Sequence, residues 1–255
     1  MIKNALKLIY QWPNGIRYYI ALGTIITTAE VYGWTQSVYG ASSTGGIRLQ
    51  EIYAWLSVAL LIFTLAIAPL CKLLPRLPGK PILRDARRML GISAAWFACW
   101  HVGISYINQF QSANPLNLPV IYQRAFALGL VALIILLALV ATSFDTAFRR
   151  LGIWWFRLHR LIYLGVLLII FHAFMIGVHA VSWPFIVTLT ITVGLLFAAQ
   201  FYLSFGPGRE PTILRSIVLC YGLLLTIGVF AFGYTQHLGY GQLQSNSSGG
   251  QYGTR

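Results

Sequence analysis

Five histidines stand in an otherwise apolar chain, and the spacing of three of them sets a chemical problem. His101, His159 and His172 lie within or at the mouth of long apolar runs. An ionisable side chain in such a run is costly enough to mark a functional position by default. Its plainer role is an interhelical hydrogen bond. His101 follows Arg88, the last basic residue before its run, by 13 positions, and His172 follows Arg160 by 12. At about 1.5 Å per residue, both imidazoles stand roughly 18–20 Å above the basic ends of two helices that run the same way. Two neutral imidazoles at one height on neighbouring helices suit the two axial positions of a b-type haem iron.

His159 precedes His172 by 13 residues, a drop of about 20 Å with a turn of about 140° away from the same helix face. That depth suits a second haem near the basic side, but the third run has no histidine there, only Arg87 and Arg88. A haem with some other ligand opposite His159, a haem propionate or a quinone all fit this position. His179 lies seven residues beyond His172, on nearly the same face, and is a secondary candidate for ligation or for propionate contact. Arg87 and Arg88 have the planar donor geometry that carboxylates take, although topology alone accounts for arginines at a span end. Trp100, Trp155 and Tyr163 flank the histidines and are candidates to pack on the macrocycle. Gly91 and Gly165 are candidates for close approach. Glu30 stands about twelve residues into the first run as a buried carboxylate for proton relay, quinone contact or a helix–helix bond. His237, at the end of the last run, reads as interfacial.

The elements that carry these residues follow from composition. Of 255 residues, 58% are hydrophobic and 9% charged, well below the charge that covers a soluble domain. Apolar runs of the roughly 20 residues that cross a bilayer fall near 18–38, 51–71, 89–108, 123–143, 154–178, 182–204 and 213–235. The expected fold is an all-α membrane protein of about seven transmembrane helices: a six-helix haem-binding core over 18–204 and one extra helix at 213–235. Residues 1–17 read as a cytoplasmic amphipathic segment and 236–255 as a polar outer tail. The loops from Gln36 to Gln50 and from Gln109 to Leu118 read as polar outer connections.

With the N-terminus inside, fifteen of the 18 Lys and Arg fall in cytoplasmic segments and three, Arg48, Arg124 and Arg255, fall outside. This asymmetry orients a multi-pass protein of the cell inner membrane with its C-terminus outside. The net charge of +13 is therefore topological, not a nucleic-acid footprint. Cys71, Cys99 and Cys220 lack metal or covalent-haem spacing and read as packing residues. No cleavable signal peptide is evident, and no internal repeat.

These residues together resemble the ferric-reductase-like transmembrane superfamily, in particular its branch of haem-binding membrane subunits from protein-methionine-sulfoxide reductase systems. Thr44-Gly45 with Ala68-Pro69-Leu70 resembles the second helix of that family. Arg87-Arg88-Met89-Leu90-Gly91 with His101 resembles the third, and Thr142-Ser143 closes the fourth. Leu151-Gly152, Trp155, Leu158-His159-Arg160-Leu161-Ile162-Tyr163 and His172 resemble the fifth. The resemblance covers about residues 40–180. It implies six core helices, haem b on His101 and His172 with His159 also implicated, and a separate donor, quinol or flavin reductase. The acceptor would be a protein on the outer side. The last helix and outer tail exceed the family pattern. An accessory or docking subunit of a larger electron-transfer complex, and a self-contained ferric or quinone reductase, remain the alternative expectations.

Overall fold

The computed structural model describes residues 15–74, 76–110, 118–176, 182–204, 226–235 and 237–238. Its helices are α1 (Gly15–Tyr39), α2 (Ser43–Leu73), α3 (Lys80–Phe110), α4 (Val120–Ala141), α5 (Asp145–Leu151), α6 (Ile153–His159), α7 (Leu161–Ile176), α8 (Trp183–Ser204) and α9 (Thr226–Thr235). No strand occurs among the described residues. Two compact units form, one of residues 1–118 with 133–162, the other of 119–132 with 163–255.

Four helical stretches are long and apolar enough to cross a membrane: Ser43–Leu73, Lys80–Asn108, Val120–Ala141 and Ile153–Ile176. The protein is an all-α membrane protein. Of the seven expected spans, the first forms α1 but is not among these four, because Arg17, Glu30 and several threonines dilute its apolar character. The sixth forms α8, with an apolar core over Pro184–Ala199, and the seventh is represented by α9 alone. The rest of 213–225, and the tail from 239, lie outside the described residues.

Three expectations are corrected. The polar loop expected over 36–50 is helical except at Gly40–Ser42. Gly40, at φ 60°, ends α1, and the Ser42 hydroxyl caps α2 by accepting the Gly45 N–H at 3.1 Å, which answers one orphan donor of the first turn. The fifth run is not one uniform helix from 154. Gly152, at φ 50°, separates α5 from α6, a backbone region that glycine enters without a Cβ clash. A tight turn at Arg160, whose N–H reaches Arg157 O and Leu158 O, then joins α6 to α7. Arg160 itself keeps helical dihedrals and Ile153–Ile176 still forms one span-length stretch, so the path from His159 to His172 departs from a continuous helix only locally. Glu30, expected to be buried, is exposed on α1, because the inward face of that helix is occupied by threonines.

Inside the first unit, α2 and α3 pack most extensively, with α1 against both. One apolar cluster joins Ile67 and Cys71 of α2 to Ala86 and Leu90 of α3, with Ile16 and Ile20 of α1 against it. A second, toward the other end, joins Leu49 and Tyr53 to Phe97, with Val31 and Ile104 beside it. Thus α1 and α3 run parallel and α2 antiparallel. Because lipid is as apolar as these side chains, their packing and the polar contacts between helices carry the association. At mid-height Thr24 and Ser93 share a 2.7 Å hydrogen bond. Trp96 Nε1 donates to Thr28 Oγ1 at 3.0 Å, and the Tyr53 hydroxyl donates to Thr28 O at 2.8 Å. Each such bond contributes about 0.6 kcal/mol in membranes. Thr24, Thr28 and Thr35 also donate to the carbonyl four residues back, so these three hydroxyl donors are not stranded on an apolar wall.

At the Arg-rich end, Arg88 of α3 pairs with Asp145, the first residue of α5. The guanidinium hydrogen bond and charge of Arg88 hold the Asp145 carboxyl below its ordinary value of 3.8, with Arg17 and Arg149 adding at longer range. A carboxyl depressed in the folded state stabilises fully above its unfolded pKa and loses that contribution as pH falls through the folded value. Since Asp145 is exposed, the effect is small and salt-screened. The expected result is that Asp145→Asn leaves the melting temperature nearly unchanged below pH 3 and lowers it slightly at pH 6. Melting curves at both pH values, in low salt, check this; an equal loss at both would mean the pair does not act through charge.

Candidate functional site

A backbone carbonyl of a neighbouring helix holds each of the two principal histidines. In the first unit, His101 of α3 places Nδ1 2.9 Å from Gln50 O of α2. In the second, His172 of α7 places Nδ1 2.7 Å from Ala125 O of α4. A carbonyl oxygen only accepts, so Nδ1 is the protonated nitrogen in both rings and Nε2 carries the lone pair. That tautomer is the one a metal-ligating imidazole needs, and an N–H···O=C bond from the other nitrogen is the usual outer support of such a ligand. The two residues singled out by depth therefore also share one orientation device, each within its own unit.

Gly129 makes the second of these supports possible. It lies one turn beyond Ala125 on α4, and a Cβ there would stand 2.8 Å from His172 Nδ1 and 2.9 Å from Cε1. Only a bare backbone lets the imidazole lie on that face and reach a carbonyl that the helix already uses. Gly129 carries no signal in the sequence beyond being a glycine in an apolar run. Gly91, which was a candidate for close approach, meets nothing nearer than Thr64 Cγ2 at 3.8 Å.

Around His101, Ser105 is buried and donates to His101 O at 2.7 Å. Gln50 is buried too, and its Oε1 has no hydrogen-bond partner among the described residues. Gln50 was also missed from sequence, because its role is played by a backbone atom that residue type does not reveal. Tyr53 stacks on Phe97, with centroids 5.8 Å apart, and lies 6.1 Å from Trp100. Trp100 therefore belongs to an aromatic group one face removed from His101.

His159 is built differently. Its Nδ1 bonds Trp155 O of its own helix at 3.1 Å, and its ring stacks on the Trp155 indole at 3.8 Å and 25°. Trp155 is fixed in turn: Nε1 donates to Thr142 O at 2.8 Å, and Phe148 meets it edge-on at 5.2 Å. His159 Nε2 is buried and has no partner among the described residues. A buried nitrogen left without a partner costs free energy unless something fills the gap. Arg87 and Arg88 lie within electrostatic reach of this ring. Tyr163 packs edge-on against Phe197 at 5.3 Å in the second unit. His237 is half-buried, and His179 lies outside the described residues. No three His, Cys, Asp or Glu side chains gather as a metal cage would require, among the described residues.

Comparison with known proteins points one way. The family described as the ferric reductase like transmembrane component matches residues 53–170, a stretch that contains His101 and His159 and ends two residues before His172. The protein-methionine-sulfoxide reductase heme-binding subunit MsrQ of Cronobacter sakazakii is 33% identical over 144 residues, covering 55% of this chain and 68% of that relative. Its counterpart in Bordetella pertussis is 38% identical over 120 residues, covering 46% and 55%. The one in Pectobacterium carotovorum is 31% identical over 153 residues, covering 58% and 74%. No solved structure matches the chain. The apolar helices, the order of the histidines along them and this identity over most of a relative's length agree: the chain belongs to the ferric reductase-like transmembrane family, among proteins similar to MsrQ.

Proposed function

We propose that this protein is a membrane cytochrome of the b type, with His101 and His172 as the axial ligands of its haem. In this reading it takes electrons from a quinol or a flavin reductase on the Arg-rich side, which is cytoplasmic. It delivers them to an acceptor protein on the outer side, with the N-terminus inside and the C-terminus outside. The observation that carries the reading is the shared support of the two rings: each gives its Nδ1–H to a neighbouring helix's carbonyl and keeps the ligating Nε2 lone pair. The residues present thus fit the group, and the relatives' printed name, heme-binding subunit, supports the same choice. Haem, when bound, would supply a reversible one-electron iron couple at a moderate potential that side chains do not reach.

The chain's own residues then divide the work. Gln50 and Ala125 hold the two rings at the tautomer that ligates, and Gly129 keeps space for one of them. His159, clamped by Trp155, holds a buried lone nitrogen toward the Arg-rich side, where a second haem or a quinone is its proposed ligand. Arg87 and Arg88 are the proposed partners of propionates there. His179, Trp155 and Tyr163 complete the proposed surroundings of the cofactors.

The test is a dithionite-reduced minus oxidised spectrum of the purified protein with a pyridine haemochrome count per chain. The expected result is sharp b-type bands that survive in His159→Ala, with a count lowered by one if His159 serves a second haem. Protein that folds in full without haem, from cells supplied with it, would overturn the reading.

A further inference from the structure

Among the described residues, the Arg-rich end of the first unit carries eleven Lys and Arg, Arg17, Lys72, Arg76, Lys80, Arg84, Arg87, Arg88, Arg149, Arg150, Arg157 and Arg160, against two carboxylates, Asp85 and Asp145. Arg88 pairs with Asp145. Arg87 has no ion-pair partner among the described residues, and Asp85 is exposed. Arg17 is the unusual member. It sits in the first turn of α1, only partly exposed, and its Nε is buried with no acceptor among the described residues. Its neighbours Ile16 and Ile20 pack on the cluster that holds Ala86 and Leu90. That packing brings Arg17 to the level of Arg87 and Arg88, and its charge, like that of Arg149, reaches Asp145. An oriented N–H donor, withdrawn from solvent amid excess positive charge, lacks an anion.

The surroundings say which anion. Tyr18, Tyr19 and Leu22 beside Arg17 are exposed, as are Phe148, Ile153 and Trp154 on α5 and α6, and Arg157 lies over the Trp154 ring at 4.6 Å. Aromatic and apolar side chains interleaved with arginine at the end of spanning helices describe the headgroup level of a bilayer. A free anion gains nothing from those apolar neighbours, whereas a lipid buries acyl and glycerol carbons on them and sets its phosphate among the guanidiniums.

We propose that Arg17, with Arg87 and Arg88, forms a binding site for the phosphate of an anionic phospholipid, whose chains lie along the exposed apolar side chains of α1 and α6. The site does not need the haem proposed on His101 and His172, but it competes for Arg87 and Arg88 with a haem at His159, so the two assignments exclude each other at those arginines. Its place is the leaflet on the Arg-rich side.

The test uses the full chain in nanodiscs of phosphatidylcholine with or without phosphatidylglycerol, followed by native mass spectrometry of the lipid retained after gentle release. The expected result is one phosphatidylglycerol retained in preference to phosphatidylcholine. Arg17→Gln should weaken this about fivefold, the worth of one cation at an anionic surface, and Arg87→Gln should do the same. Arg76→Gln, an exposed arginine of equal charge outside the cluster, should not. Melting in phosphatidylcholine nanodiscs shows that each variant is folded before its lipid is counted. Equal retention of the two lipids, or an equal loss in Arg76→Gln, would overturn the site in favour of diffuse charge. Displacement of the lipid by inorganic phosphate alone, at millimolar concentration, would overturn the lipid as its ligand.

Discussion

Replacing His101 or His172 with alanine is expected to strip haem from the purified protein, each variant alone being sufficient. Partners that merely orient a metal ligand cost about 10- to 100-fold in affinity when removed, and the loss of the ligating ring should exceed that. The haemochrome count per chain should fall by one in both variants, to near zero where His159 holds a quinone and not a second haem, while His237→Ala, at the end of α9, should keep the full count. Small imidazole added to either alanine variant should restore part of the b-type spectrum, since it refills the vacated position with the same nitrogen. That rescue separates a lost ligand from a protein that failed to fold. If either variant keeps an unaltered count and spectrum, the residue it removes is not an axial ligand. The physical basis is the tautomer. Each ring gives its Nδ1–H to a carbonyl, which makes Nε2 the nitrogen that would ligate the iron.

The second large effect is expected at a residue that touches no cofactor in this account. Gly129→Ala should lower haem content nearly as far as His172→Ala does. The added methyl would stand 2.8 Å from His172 Nδ1, and the ring cannot simply swing aside, because its bond to Ala125 O holds it there. Either the ring turns and loses that bond, or α4 and α7 part. Overpacking of this kind costs about 1–3 kcal/mol, or about 5- to 150-fold in the population of the competent arrangement. Gly91→Ala is the matched comparison: its nearest neighbour is a methyl at 3.8 Å, so alanine there should be neutral or mildly stabilising, as in any helix interior. Haem content and melting temperature measured on both variants make the check. A Gly129→Ala protein with full haem content would mean that the support of His172 is dispensable.

Much of this was legible in the residues because the signals are one-dimensional. Membrane character follows from the length of the apolar runs, and orientation expectations follow from where lysine and arginine fall between them; neither needs to know which helices touch. The depths of His101 and His172 are likewise read along a helix axis at a fixed rise, so their residue numbers suffice. The family motifs, Arg87-Arg88 before His101 and Leu158-His159-Arg160 before His172, are linear too.

What linear order could not supply is anything that depends on a second strand of backbone. The helical extent of 36–50 turned on one hydroxyl cap at Ser42, and Glu30 faces outward because three threonines claimed the opposite face of α1. The partners of the two histidines are carbonyl oxygens, which every residue owns, so neither Gln50 nor Ala125 announces its part by type. Gly129 matters for what it lacks, and only the approach of α7 gives that lack a meaning. The sequence by itself therefore determined the solvent of this protein, the heights of its histidines and the family it belongs to. The tertiary structure decided which nitrogen of each ring carries the proton, which glycine lies against the His172 ring and which arginine has an unmet donor among the described residues. Those depend on distances between segments far apart in the chain, and no local pattern encodes them.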